Sequence, residues 1–173
     1  MGKTIPEKLI DYTVYKDGSL PLGTATVTLP NLEAMSETIK GAGILGEIDS
    51  PTLGHYGSLT VGLDFRTVTN DSLQLMSPGV HTLDFRGSQQ IFDIAKSEHM
   101  YQGLKVTIRG TTKSFNLGKL EPHATTDTSV ELEVNYIKIL LDGKTAFELD
   151  KYNGVFVTNG VDHYATIRKQ LGM

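Results

Sequence analysis

Gly41-Ala42-Gly43-Ile44-Leu45-Gly46 spells G-x-G-x-x-G, and the reading of these six residues decides between a nucleotide-binding α/β fold and something else. A dinucleotide fingerprint needs an apolar strand before the glycines and a helix after them, because the pyrophosphate sits on the helix N-terminus. Upstream, Glu33 to Lys40 reads Glu-Ala-Met-Ser-Glu-Thr-Ile-Lys, too polar for a buried parallel strand. Downstream, Pro51, Gly54 and Gly57 cannot continue a helix. Glu47 and Asp49 would also repel a phosphate. The glycines serve another purpose.

Working outward, several segments alternate apolar and polar residues with the period of a half-buried strand. In Ser58 to Arg66, Leu59, Val61, Leu63 and Phe65 share one face; Ser58, Thr60, Asp64 and Arg66 share the other. Leu104, Val106 and Ile108 oppose Lys105, Thr107 and Arg109. Val130, Leu132, Val134 and Tyr136 oppose Ser129, Glu131, Glu133 and Asn135. Such strands cover a core on one side and meet water or a partner on the other. Asp142-Gly143, between Tyr136–Leu141 and Lys144–Leu149, predicts a tight hairpin, and Asp17-Gly18 predicts another after Tyr12–Lys16. The strand that follows is expected over Thr24 to Leu29, and a further one over Val80 to Arg86.

Two places look helical. Thr69-Asn70-Asp71-Ser72 offers capping side chains to a helix over about 70–77 that Pro78-Gly79 stops. Asp162 is expected to cap a short helix through Ala165 to Leu171, closed by Gly172. Leu-Asp-Phe-Arg occurs at 63–66 and again at 83–86, which reads as two similar amphipathic strands rather than a repeat architecture. The fold expected is therefore mostly β: one domain over residues 1–173, an antiparallel β-sandwich or barrel with one flanking α-helix.

Composition narrows the chemistry. The 173 residues suffice for one sizeable core, and 39% hydrophobic with 21% charged residues suits a folded domain. A formal net charge of −4 does not grip a phosphate backbone. There is no apolar run of membrane-span length, no signal-peptide pattern, and no expected membrane insertion of the monomer. Cysteine is absent, which excludes thiolate chemistry and fits synthesis in a reducing cytoplasm. His55, His81, His99, His123 and His163 lack metal-ligand spacing, so no metal is expected. Gly143-Lys144-Thr145 resembles the end of a phosphate loop, but Lys138 stands where its first glycine belongs. Glu131 and Glu133 lie on one polar strand face, not across a cleft. No catalytic residue, no cofactor and no enzyme activity are expected.

An interaction surface is what remains. The segment over about 39–57 is glycine-rich and broken by proline, and it is longer than most connections in a compact domain. It reads as a long inter-subunit contact loop built on Gly41, Gly43, Gly46, Ile44, Leu45, Ile48 and Leu53. Large apolar side chains on one loop are costly in water unless a neighbour covers them.

At this segment the chain resembles the major tail tube proteins of contractile-tailed bacteriophages and of the related R-type bacteriocin particles. The resemblance runs from Ile5-Pro6-Glu7-Lys8-Leu9 through Val27-Thr28-Leu29-Pro30-Asn31-Leu32 and Lys40–Glu47. It continues at Leu141-Asp142-Gly143-Lys144 ahead of Phe147–Asp150, and closes with Asn159–Asp162 and Ile167–Gly172. It implies a β-barrel or sandwich, six copies forming a ring, and rings stacking into a hollow tube in a virion tail or bacteriocin particle. The partners it implies are further copies of the chain, a contractile sheath protein, baseplate and tail-terminator proteins, and a tape-measure protein and DNA in the lumen. In a bacteriocin, ions would pass instead of DNA.

On alternation alone, the candidate lumen-facing residues are Thr60, Asp64, Arg66, Lys105, Thr107, Arg109, Glu131, Glu133 and Asn135. Six copies at −4 give −24 per ring, which disfavours tight phosphate contact. Two alternatives stay open: a ring-forming secretion-tube component carrying effectors, and a small β-fold ligand-binding module or enzyme with a glycine-rich phosphate loop.

Overall fold

Alternation and turn chemistry place most of the strands in the computed structural model, which describes residues 3–173. The strands are β1 (Thr4–Lys16), β2 (Leu20–Leu22), β3 (Thr24–Thr28), β4 (Ala34–Lys40), β5 (Glu47–Tyr56) and β6 (Thr60–Phe65). After helix α1 (Asn70–Gln74) come β7 (Val80–Asp93), β8 (Glu98–Asn116), β9 (Thr128–Leu141) and β10 (Lys144–Asp150). The chain ends with β11 (Val155–Thr158), β12 (Val161–Asp162) and α2 (Ala165–Gln170). The main sheet is ordered β12-β11-β10-β9-β8-β7-β1-β2, with β3 on β6 and β6 on β9; β4 and β5 form a separate ribbon.

Only Gly23 separates β2 from β3. The antiparallel circuit β1-β7-β8-β9-β6-β3 therefore returns along the chain to β2 and β1, and the sheet closes as a barrel. Closure hides edges that an open sheet would expose. Inside lie Val14, Leu22, Val61, Leu63, Phe65, Leu83, Ile108 and Leu132, all buried. Both Leu-Asp-Phe-Arg copies place Leu and Phe in this core, as two equivalent amphipathic strands would.

The turns follow their residues. Asp142 and Gly143 have φ of 47° and 76°, as the two-residue turn between β9 and β10 requires. The Asp17-Gly18 turn leads into β2, with β3 following after the bend at Gly23, rather than directly into one strand from Thr24. At α1 the Thr69 hydroxyl accepts from the Ser72 N–H at 3.1 Å, and Ser72 Oγ accepts from the Thr69 N–H at 3.0 Å, a reciprocal cap. This helix ends at Gln74, short of 77, and turns so that buried Leu75 plugs the core. At α2, Asp162 serves the helix start as expected, its carboxylate receiving the Ala165 N–H ahead of the first turn. It accepts from the Tyr164 N–H at 3.0 Å and pairs with Arg168.

Register corrects one face. Arg109 pairs with Tyr136, but Gly110 pairs with Val134, so Asn135 is an extra residue, a β-bulge. A bulge shifts the side-chain alternation by one. Val134 and Ile137 are consequently the buried residues, and Tyr136 leaves the apolar face for the polar one.

Candidate assembly surfaces

The segment over 39–57 is not an irregular loop. Its residues form most of an antiparallel arm, β4 and β5, paired from Ala34↔Tyr56 to Lys40↔Glu47. Pro51 is tolerated because both outer edges of a two-stranded ribbon are unpaired. The six residues Gly41–Gly46 are the turn. Gly41, Gly43 and Gly46 have φ of 145°, 90° and 108°, and a Cβ at any of them would meet nothing within 4 Å. The glycines are thus required by backbone conformation, not by close approach. Replacing Gly43 by Val should strain the turn by about 1–2 kcal/mol. Assembly should weaken while the thermal unfolding of the barrel stays unchanged, which calorimetry beside a sedimentation assay would check.

Ile39 and Ile48 sit directly opposite each other, and both are exposed, as are Met35 and Leu53. On the other face Lys40 pairs with Glu47 at 3.5 Å, and the Thr38 hydroxyl donates to Asp49 at 2.7 Å. Leu45, at the tip, is fully exposed, whereas Ile44 is half-buried. A lone two-stranded ribbon is marginal in water. The base of the arm is fixed: Tyr56 meets Phe156 and Phe147 edge-on at 5.9 and 6.3 Å between ring centres. The Gly57 N–H donates to Glu33 O at 3.0 Å, and Lys151 donates to Gly57 O at 2.7 Å.

A second projection has no counterpart in the sequence reading, which ended a strand at Arg86. β7 runs on to Asp93 and β8 begins at Glu98, and together they carry the first half of β1. Ile5, Leu9, Ile10, Ile94, Met100 and Tyr101 are exposed there. Gly87-Ser88-Gln89-Gln90 interrupts the apolar alternation, so periodicity gave no signal for this extension.

The nine candidate lumen residues fall into two groups on the outside of the barrel. Lys105, Thr107 and Arg109 share a face with Asp84, Arg86, Tyr136, Lys138 and Glu148. Asp84 accepts from the Thr107 hydroxyl at 2.6 Å and pairs with Arg86 at 3.4 Å and Lys105 at 3.5 Å. Arg86 also covers the Tyr15 ring at 4.6 Å, and Arg109 the Tyr136 ring at 4.2 Å. Lys138 pairs with Glu148 at 3.5 Å. Thr60, Asp64, Arg66, Glu131 and Glu133 lie on the β6 side, and Asn135 is the bulge between the groups. Glu133 has a structural task there: it accepts from Ser58 Oγ at 2.6 Å and from the Leu59 N–H at 3.3 Å. Asp84, Arg86, Lys138 and Glu148 were not anticipated, although Asp84 and Arg86 sit in the second Leu-Asp-Phe-Arg copy.

Burial opposes ionisation of Asp84, but the Thr107 hydroxyl, Lys105 and Arg86 outweigh it and hold the carboxyl below its ordinary 3.8. Burial, with the Glu148 hydrogen bond at 2.9 Å, pushes the Tyr136 phenol up to about 12. A depressed carboxyl contributes stability that is complete above its ordinary value and is lost as pH falls through its lower folded-state value. Asp84→Asn should therefore destabilise the protein by roughly 1–2 kcal/mol at neutral pH. It should also flatten the loss of stability below pH 3.8. Urea titrations between pH 7 and 3 read both effects.

A comparison of the whole chain with known proteins decides its kinship: residues 6–172 match the family of phage tail tube protein FII. The chain belongs to that family. It is 27% identical over 176 residues to the tail tube protein of Escherichia phage P2, covering 98% of this chain and 99% of that one. It is 24% identical over 161 residues to the major tail tube protein of Serratia phage KSP20, covering 92% of each. As a phage tail tube protein it is a structural subunit of the virion tail and not an enzyme. The arm and the charged face are thus surfaces of a building block.

Proposed function

We propose that six copies form a ring and that rings stack into the hollow inner tube of a contractile tail. The arm of β4 and β5 makes the contact between subunits, through Leu45, Ile48 and Leu53 with Ile44 behind them. The arm itself carries this reading: a ribbon with opposed, exposed isoleucines and a bare leucine tip, fixed only at its base. Covering it on a neighbour removes apolar surface from water at about 25 cal/mol per Å².

The face of Lys105, Thr107 and Arg109 lines the channel. Its cations are engaged by Asp84, Glu148 and the Tyr136 ring, so they offer little free charge to a passing DNA phosphate. The sheath surrounds the tube, a tape-measure protein occupies the channel during assembly, and baseplate and terminator proteins close its ends. In a bacteriocin-like particle the same tube conducts ions.

Electron microscopy of tails assembled in cells that make the complete particle tests the proposal. Stacked six-fold rings with a central pore and an outer sheath are expected. A tube of different rotational symmetry, or a tail without a sheath, would contradict it.

A further inference from the structure

The arm does not leave the barrel as a continuous ladder. Its pairing is regular from Lys40↔Glu47 to Ser36↔Pro51 and resumes only at Ala34↔Tyr56. Met35 alone therefore stands opposite Thr52, Leu53, Gly54 and His55, a bend far wider than a one-residue bulge. Pro51, the last paired residue above it, has no N–H to carry the ladder on. Gly54, inside the bend, has φ of 72°. Such short interruptions are where hinges form. Below the bend Tyr56 is seated on Phe147 and Phe156, so the direction of the ribbon above depends on what the bend packs against.

It packs against the ring of Tyr164, immediately ahead of α2. A Cβ at Gly54 would lie 3.2 Å from Tyr164 Cδ2 and 3.5 Å from Cε2. A Cβ at Gly154, between β10 and β11, would lie 3.4 Å from Cδ1 and 3.3 Å from Cε1. One edge of the ring thus touches the bend and the opposite edge touches the barrel, in a slot that two glycines keep as wide as the ring. The ring of His55 lies 6.4 Å from that of Tyr164, centre to centre. Tyr164 is anchored on the barrel side. Its N–H donates to Asp162 at 3.0 Å, and Arg168 pairs with Asp162 and donates to the Gly154 carbonyl at 2.8 Å. Its hydroxyl has no hydrogen-bond partner among the described residues, so the width of the ring is what the slot uses. Beside it a cleft of about 190 Å³, lined by Gly54, His55, Asp150, Gly154 and Tyr164, leaves the bend room to move.

We infer that Tyr164 is a positioning residue for assembly: it is the stop that sets the angle at which the arm leaves the barrel. That angle is a property of the single chain. Its importance for assembly rests on the arm being an assembly contact. Without the ring, barrel and ribbon each stay folded and the ribbon swings about residues 51–55. A swinging arm presents its tip correctly for only a fraction of the time, and its apparent affinity falls by that fraction.

The chain has no cysteine, so spin labels can be placed singly. Glu37→Cys on the arm, combined with Lys113→Cys or with Lys144→Cys on the barrel, uses exposed positions only and reads the angle as two distances. Pulsed electron paramagnetic resonance on labelled protein, diluted into unlabelled protein before polymerisation, should give narrow distance distributions with Tyr164 and with Tyr164→Phe. Tyr164→Ala and Tyr164→Leu should broaden both distributions while the barrel melts within a few degrees of wild type. Tube yield should hold in Tyr164→Phe and fall by about tenfold or more in the other two. A broad distribution in wild type would overturn the inference, as would a wild-type distribution in whichever of Tyr164→Ala and Tyr164→Leu is folded. Loss of tubes in folded Tyr164→Phe would overturn it too. If the arm swings in Tyr164→Ala and tubes still form at the wild-type yield, assembly does not depend on the stop. The Ile44→Asp, Leu45→Asp variant then separates the two readings. Its failure to assemble leaves the arm contact standing and Tyr164 dispensable, and its normal assembly removes the arm contact itself.

Discussion

Gly110→Val should leave little folded protein. Gly110 is buried in β8 opposite the bulge of β9. A Cβ there would lie 2.5 Å from the Glu133 carbonyl oxygen, 3.2 Å from its carbon and 3.4 Å from Val134 Cα. All three are backbone atoms, so no side chain can rotate away. Relief requires β9 to move, and β9 is held by β6, β8 and β10. Overpacking in a core costs about 1–3 kcal/mol where neighbours can give; a backbone clash across three strands should exceed that. A domain of ordinary stability has only about 5–15 kcal/mol to lose. Urea midpoints should fall by more than half, or soluble protein should disappear. Gly103→Ala is the control: its Cβ would lie 3.7 Å from the Asp142 carboxylate, an ordinary contact, and stability should stay near wild type.

Ile44→Asp with Leu45→Asp should do the opposite, leaving a folded barrel that does not polymerise. Neither residue belongs to the core. Covering two aliphatic side chains contributes roughly 1.5–3 kcal/mol each, and two further carboxylates enlarge the negative charge of the arm. The loss per contact is then about 3–6 kcal/mol, more than a hundredfold in affinity, and it recurs at every subunit. Sedimentation should find only small species at concentrations where wild type forms tubes, with the unfolding temperature of the barrel within a few degrees of wild type. Normal tubes from this variant would remove the arm from the assembly.

Much of the barrel was legible in the sequence because half-buried strands leave a period-two signature. Leu59, Val61, Leu63 and Phe65 are all buried as that period predicts, and Asp142-Gly143 turns where its residue types demand. The signature fails where the chain departs from regular pairing. Nothing in Glu133-Val134-Asn135-Tyr136 announces a bulge, so strict alternation puts Tyr136 on the apolar face and passes over Ile137. The arm was hidden for a different reason. Its ribbon has no buried face within its own subunit, so it has no alternation to read, and its proline and glycines looked like loop. The apolar residues at its tip were nevertheless visible, because an exposed Leu45 is anomalous wherever the backbone goes. The charged face was visible only in part: alternation shows that Lys105 and Arg109 point outward, but their partners Asp84 and Tyr136 come from strands paired across the sheet.

The most direct test of the account is an electron cryomicroscopy reconstruction of the assembled tube at side-chain resolution. The account predicts a hollow tube of stacked six-fold rings, with the arm of residues 34–56 buried against another copy and Lys105, Thr107 and Arg109 on the channel wall. A tube in which the arm projects into solvent with Leu45 uncovered would contradict it.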